Sequence, residues 1–190
     1  MIPIFEQGDG RGIGLGLDEF TERFDAICAE RLTANRAASF AFIFYDFNDR
    51  SFRRLLKDLG VFAQLDRLIR NKLSLFYLHT SGREGVEAFN SRFMQRLGLT
   101  GATLPCVVFF RIRKGEVENL EAVCLDQANL IHGFHELYGV VQDQIDEKAH
   151  KKPDGKSRLR WIKSSSKFVA IEAMRFTIRE GIAGLIRTAT

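Results

Sequence analysis

The sequence has few cysteines and prolines and no long apolar run, and each scarcity excludes a class of protein. The cysteines are Cys28, Cys106 and Cys124. They include no C-x-x-C pair, and three thiols suit neither a disulfide framework nor a four-cysteine iron–sulfur site. The longest apolar run, residues 40–45, is far shorter than the roughly 20 residues that span a bilayer. Because Glu6 and Asp9 stand where a secretory signal would be basic and apolar, we expect a cytoplasmic protein with reduced thiols.

Apolar residues and an uneven charge distribution are what the sequence does have. Hydrophobic residues make up 45% of the 190 positions and 17 of them are Phe, so the material for a packed core is ample. Residues 1–147 carry a net charge of −4, whereas residues 148–190 carry +8. This asymmetry predicts one acidic domain over 1–147 followed by a basic tail, which would attract polyanions or an acidic protein surface.

Apolar runs of strand length alternate with stripes of helical spacing along the acidic part of the chain. The runs predict strands at 39–47, 73–79, 106–112 and 117–124. The stripes predict helices at 20–32, 52–69, 84–97 and 128–145. Expected boundaries are the caps Asp18 and Asp49, a kink at Gly60 and a helix end at Gly98. Strands alternating with helices pair in parallel, and a turn at Lys114–Gly115 adds an antiparallel hairpin, so we predict an α/β fold with a mixed central sheet.

Glycine occupies every second position from Gly8 to Gly16. Glycine adopts both signs of φ freely, so residues 1–16 are expected to form a flexible arm or an edge strand. A phosphate-binding loop would continue into Gly-Lys-Ser or Gly-Lys-Thr, whereas this run continues into Leu17 and Asp18.

The basic tail is predicted to be a linker over 148–167 and an amphipathic helix over 167–187. Its candidate binding residues are Lys151, Lys152, Lys156, Arg158, Arg160, Trp161 and Lys163. Several roles stay open for it. The helix could dock on the acidic domain, join a second copy of the chain or bind a protein partner. The tail could also bind nucleic acid, with an aromatic ring stacked on a base, or lie on an anionic membrane.

Residues 102–110, Ala-Thr-Leu-Pro-Cys-Val-Val-Phe-Phe, resemble the loop of thioredoxin-like proteins in which a cis-proline precedes the final hairpin. The resemblance covers residues 1–147 and implies a three-layer α/β/α fold with a cis Leu104–Pro105 bond. It also implies a groove that pairs an extended peptide with the backbone near the proline. The groove residues that it implies are Thr103, Leu104 and Pro105, with Asn48, Asp49, Arg50 and Ser51 as the facing rim.

The sequence departs from that family where the catalytic C-x-x-C would stand. The corresponding segment, Asn48 to Ser51, has no sulfur, and disulfide exchange needs a thiolate and a second thiol. We therefore expect no dithiol–disulfide oxidoreductase activity. A carboxylate at Asp49 would occupy the free N–H groups of the following helix, which opposes anion binding there, although Arg50 beside it could partly restore an anion site.

Other candidate sites have simpler interpretations as packing or loop residues. His132 and His135 have helical spacing but no H-E-x-x-H motif, so we expect no metal and no cofactor. Ser51, Asp49 and His79 follow predicted strands, yet no Gly-x-Ser-x-Gly motif accompanies them. The favoured function is a non-redox protein- or peptide-binding adaptor module. The alternatives are an enzyme of unidentified reaction at the strand ends and polyanion binding through 148–167.

Overall fold

A computed structural model describes most of the chain up to residue 146 and two short segments beyond it. The described residues are 4–8, 13–33, 38–57, 59–70, 72–79, 82–99, 101–113, 116–125, 130–146, 160–163 and 169–170. The helices are α1 (Leu17–Thr33), α2 (Arg50–Leu55), α3 (Leu59–Ile69), α4 (Arg83–Arg96) and α5 (Leu130–Ile145). The strands are β1 (Ile4–Gln7), β2 (Ile13–Leu15), β3 (Ala38–Phe44), β4 (Ser74–Leu78), β5 (Cys106–Arg113), β6 (Glu116–Cys124), β7 (Arg160–Lys163) and β8 (Val169–Ala170).

The strands form one mixed sheet in the order β2-β1-β4-β3-β5-β6-β7, with β8 also paired to β6. Only the β3–β4 pair is parallel among these described strands. The parallel pair is joined by a helical connection, as parallel strands require, and β5 and β6 form the expected antiparallel hairpin. The prediction of a mixed α/β sheet is confirmed.

Aromatic side chains cover both faces of the sheet at its centre. On one face, Phe20 of α1 contacts Phe76 with ring centroids 5.1 Å apart, and Phe93 of α4 lies 4.9 Å from Phe44. On the other face, Phe62 of α3 stacks on Tyr77 at 4.8 Å. Helices therefore contact both faces, which explains why the central strands are continuous apolar runs instead of alternating patterns.

The helix boundaries follow the backbone hydrogen bonds. Asp49 caps α2 as predicted, and Gly98 ends α4 with a φ of 65°. The break between α2 and α3, however, precedes Gly60. Leu56 N–H bonds four residues back to Phe52 and Lys57 N–H only three residues back to Arg54, so the last turn tightens and α2 ends.

The cap of α1 is Gly16, and the prediction of Asp18 was wrong by two residues. The Gly16 carbonyl accepts the Phe20 N–H at 2.8 Å, and the Gly16 N–H donates to Glu19 Oε2 at 2.9 Å. A carboxylate that reaches back to the N–H of the cap residue is half of a capping box.

The glycine-rich N-terminal segment contributes two strands to the sheet. Ile13–Leu15 is the edge strand β2, whereas Ile4–Gln7 lies inside the sheet between β2 and β4. The Gly8 N–H donates to the buried Asp66 carboxylate at 2.9 Å, and the buried Glu6 pairs with Arg23 at 3.0 Å. These contacts fix β1 to α3 and α1, so Ile4–Gln7 and Ile13–Leu15 are not a flexible arm.

Part of the basic tail belongs to the sheet, which corrects the linker prediction for Arg160, Trp161 and Lys163. They lie in β7, which pairs antiparallel with β6 from Cys124 to Glu121. The physical reason is the edge of β6, whose backbone N–H and C=O groups would otherwise lack partners in the sheet.

The prediction of a helix over 167–187 is wrong at Val169 and Ala170. These two residues form strand β8, which pairs with the start of β6. The remaining positions of that helix lie outside the described residues, as do Lys151, Lys152, Lys156 and Arg158. Self-association through the C-terminal helix therefore stays a prediction. Within the described part of the chain, no helix is both long and apolar enough to cross a membrane.

Candidate functional site

The sheet topology brings the two halves of the predicted groove to one edge. Phe44, the last residue of β3, pairs with Cys106, the first residue of β5. The turn after β3 and the proline loop, defined here as residues 103–105, therefore lie at the same end of the sheet. The Leu104–Pro105 bond is cis. Thr103 is exposed, Leu104 half-buried and Pro105 buried, so the loop presents both polar and apolar atoms to solvent.

The turn between β3 and α2 is held by two aspartates. Asp46 Oδ1 accepts the Asn48 N–H at 2.8 Å, and the Asp46 carbonyl accepts the Asp49 N–H at 3.0 Å. Asp49 Oδ1 then accepts the N–H groups of Ser51 and Phe52. The carboxylate thus occupies the donors that a bound anion would need at the start of α2, as the sequence predicted.

A row of cations lies on α2 and on the turn that follows it. We call it the α2 basic face, and its members are Arg50, Arg53, Arg54 and Lys57. Their spacing of three, four and seven residues places them on one side of a helical turn. No acidic residue occurs in α2. Of these four residues only Arg50 was predicted as part of the site, although the spacing of the other three is visible in the sequence.

Phe47 gives the α2 basic face an apolar contact. The Arg53 guanidinium lies 3.9 Å from the centre of the Phe47 ring, a cation–π contact between half-buried side chains. Arg53 is therefore held in place, whereas Arg50, Arg54 and Lys57 are exposed.

Buried hydrogen bonds connect the ends of β3 and β4 beneath this edge of the sheet. The Tyr45 hydroxyl donates to the carbonyl oxygen of Leu78 at 3.0 Å, and Asn90 Nδ2 donates to the Tyr45 carbonyl at 2.9 Å. Burial raises the pKa of Tyr45, and the nearby Arg53 acts in the opposite direction. These bonds tie the ends of β3 and β4 to α4, so the candidate groove rests on a rigid base.

His79 follows β4 at the same edge and is half-buried. Burial lowers its pKa below the usual 6.5, and the positive charges of Lys57 and Arg53 lower it further. Its ring meets Phe5 edge-on at 6.0 Å between centroids. Of the residues considered for a hydrolytic site, Asp49 serves as the helix cap and Ser51 is an exposed residue of α2.

Two cysteines lie directly beneath the proline loop. Cys106 of β5 and Cys124 of β6 are partners in the strand register, and Thr103 N–H donates to Cys124 Sγ at 3.3 Å. Cys28 is buried in α1 on a different element. The register places Cys106 and Cys124 next to each other across the hairpin, and the bond from Thr103 had no sequence signal.

Metal binding has no support among the described residues, which contain no group of three or more His, Cys, Asp and Glu side chains placed to hold an ion. The side chain of His132, half of the predicted histidine pair, lies outside the described ones.

No protein-family model, curated protein or solved structure matches this chain. The function therefore has to be inferred from the residues at this edge of the sheet.

Proposed function

We propose that this chain is a thioredoxin-like binding module that holds an extended peptide segment and performs no thiol–disulfide exchange on it. The arrangement of β3, β4, β5 and β6 supports the fold, because a parallel pair lies beside an antiparallel hairpin that opens at Pro105. The segment from Asn48 to Ser51, where the family has its cysteines, supports the absence of exchange chemistry.

One observation carries the proposal: the proline loop and the α2 basic face lie at the same edge of the sheet. An extended peptide that pairs with an exposed backbone gains affinity from main-chain hydrogen bonds and specificity from side chains nearby. Here Leu104 and Phe47 offer apolar contacts, and the exposed Arg50 and Arg54 offer positive charge.

The charge at this edge favours an acidic segment as the occupant. The oxygens of Asp46 and Asp49 accept N–H groups within the turn, and the α2 basic face adds four cations beside them. Burial is the main cause of the lowered pKa of His79, and the positive charges of Lys57 and Arg53 at this edge lower it further. Complementary charge chiefly sets specificity and association rate.

Selection from a peptide display library against the full chain tests this function. We expect enrichment of extended peptides rich in Asp and Glu, and weaker binding as salt is added. Arg50→Glu together with Arg54→Glu should weaken the selected peptides by about tenfold or more. Arg67→Glu is the matched control. Arg67 lies in the last turn of α3, which leads to the amino end of β4, and that end of the sheet is opposite the proposed groove. Equal loss in both variants would refute the proposed site.

Crosslinking locates the peptide independently of charge. A photoreactive amino acid at the exposed position of Thr103 should capture a selected peptide, whereas the same group at the exposed Gln64 of α3 should not. Capture at position 64 alone would place the peptide elsewhere and contradict the groove.

His79 supports a second candidate, an enzyme at the same edge. A half-buried histidine whose pKa is lowered stays neutral near pH 7 and is able to accept a proton as a general base. A screen of hydrolysable esters would test it. Turnover that is lost in His79→Gln and retained in His135→Gln would favour the enzyme over the adaptor.

Polyanion binding through 148–167 remains the other alternative. It predicts nucleic-acid binding whose affinity falls steeply with salt. Of its candidate residues, Arg160, Trp161 and Lys163 belong to β7, so their backbone is engaged with β6. Salt-independent retention of RNA or DNA, or none at all, would reject it.

A further inference from the structure

We propose that Cys106 and Cys124 form a modification site, in which hydrogen peroxide converts the two thiols into a reversible cross-strand disulfide beneath the proline loop. The proposal does not depend on what the groove binds. It concerns a bond within the chain, not catalysis of exchange in a substrate.

The strand register puts the two residues in a pair that a disulfide is able to bridge. Leu125 N–H donates to the Pro105 carbonyl at 2.8 Å, so Pro105 and Leu125 form a hydrogen-bonded pair. Hydrogen-bonded and non-hydrogen-bonded pairs alternate along antiparallel strands, which makes Cys106 and Cys124 a non-hydrogen-bonded pair. The Cα atoms of such pairs lie about 4.5 Å apart, within the span that disulfides bridge.

The sheet around the pair is regular, so the bond needs no change of register. The pairing of β5 with β6 runs without interruption from Cys106 to Phe109, and its irregularity comes only after Phe109. On the other side, Cys106 pairs with Phe44 of β3, which fixes its backbone. Both thiols are free, and they point into the same buried region because directly opposed residues of an antiparallel pair project from the same face of the sheet.

The surroundings assign different roles to the two sulfurs. Cys106 is fully buried, and burial together with the neighbouring Cys124 raises the pKa of its thiol to about 12. Cys124 is 6% exposed, and its sulfur accepts the N–H of the exposed Thr103 at 3.3 Å, so Cys124 is the more accessible of the two residues. Cys124 is therefore the sulfur that meets the oxidant, and Cys106 is the one that resolves the product.

The reaction balances with one peroxide. The Cys124 thiolate attacks one oxygen of hydrogen peroxide, the O–O bond breaks, and a sulfenic acid and water form after proton uptake. The Cys106 sulfur then attacks Cys124 Sγ, the S–O bond breaks, and the hydroxyl leaves as water with the Cys106 proton. Two thiols lose two electrons in total, and one peroxide is reduced to two waters.

The disulfide also acts on the proline loop. Cys124 Sγ is the acceptor for the Thr103 N–H, and the new bond draws that sulfur toward Cys106. Oxidation therefore changes the hydrogen bond that holds Thr103, one residue before Leu104.

Thiol counting on the full chain tests the proposal. Reduced native protein is treated with hydrogen peroxide, quenched, unfolded and alkylated, and its intact mass is measured. We expect the number of alkylated cysteines to fall from three to one, together with a loss of two hydrogens, and dithiothreitol to restore all three. Peptide mapping should find Cys106 joined to Cys124.

Variants separate this bond from general oxidation. Cys28→Ser is the matched control and should still form the bond, leaving no free thiol. Cys106→Ala and Cys124→Ala should each abolish it, and if either fails to fold, mapping of the wild-type chain decides the question. Three free thiols after treatment, a bond that includes Cys28, a disulfide between two chains, or a sulfinic acid without the crosslink would each overturn the proposal.

Discussion

At the scale of single residues, Gly8 holds a backbone conformation that other residues rarely adopt. Its φ is 130°, and it ends β1 where the chain meets the end of α3. A Cβ atom here would lie 3.1 Å from the carbonyl oxygen of Leu73 and 3.3 Å from that of Arg70. Both obstacles are backbone atoms, which have little room to move.

Gly8→Ala is therefore expected to lower the free energy of unfolding by about 1–3 kcal/mol. Gly139→Ala is the matched control, since a Cβ on this α5 residue meets nothing within 4 Å. Alanine favours a helix over glycine by about 1 kcal/mol, so the control should be neutral or stabilising. Denaturant unfolding of both variants gives the comparison. A Gly8→Ala chain as stable as Gly139→Ala would show that position 8 is not strained.

His79 predicts a pH dependence of stability. Because its pKa is lowered in the folded chain, the unfolded chain binds a proton more readily below about pH 6.5. The contribution of His79 to stability is thus fully present above pH 6.5. It is lost as the pH falls through the lowered pKa of His79 in the folded chain. His79→Gln should lose less stability than wild type between about pH 7.5 and 5.5 in denaturant unfolding. His135→Gln, at an exposed position of α5, should keep the wild-type slope. Identical slopes for His79→Gln and wild type would contradict this.

At the scale of elements, the β6–β7 pairing shows what local patterns miss. The predicted strands β3, β4, β5 and β6 and helices α4 and α5 were recognisable because dense apolar runs and stripes mark them. β7 has only four residues in a basic segment that also contains Pro153 and Gly155. Nothing in its own sequence required a strand, and it became one by pairing with the edge of β6.

Proline substitutions test that pairing. Cys124 makes no ladder bonds to Cys106, so its N–H and C=O face β7, and Cys124–Arg160 and Ala122–Ile162 are hydrogen-bonded pairs. Ile162→Pro removes a ladder donor and should raise the exchange rate of the Ala122 amide on the order of tenfold. Lys163→Pro is the control, because the N–H of that position faces away from β6. Hydrogen exchange measures both. Equal exchange in the two variants would argue against the β6–β7 register.

At the scale of the whole molecule, the candidate site joins segments that are far apart in sequence. The cap at Asp49 and the strand start after Pro105 were both predicted from local chemistry. That they share an edge follows from β3 pairing with both β4 and β5, and this order of strands is a property of the sheet. The bond from Thr103 to Cys124 likewise depends on the hairpin register.

The charge asymmetry is another feature whose meaning changes at this scale. The sequence separates an acidic part from a basic tail, and this division predicted a domain over 1–147 followed by a linker and a helix. The structure instead adds β7 and β8 of the tail to the sheet of the acidic part. Positive charge also lies within the acidic part, on the α2 basic face, where the overall count conceals it.

The sequence by itself determined the α/β class, the main strands, the Asp49 cap and the absence of a C-x-x-C pair, because each depends on residues within one turn or one run. Only the tertiary structure decided which strand ends meet and that Cys106 lies opposite Cys124. Those relations are set by sheet order and register. They arise because the backbone groups of a strand edge form hydrogen bonds with another strand and because apolar faces are buried together. Neither process depends on the residue at a single position.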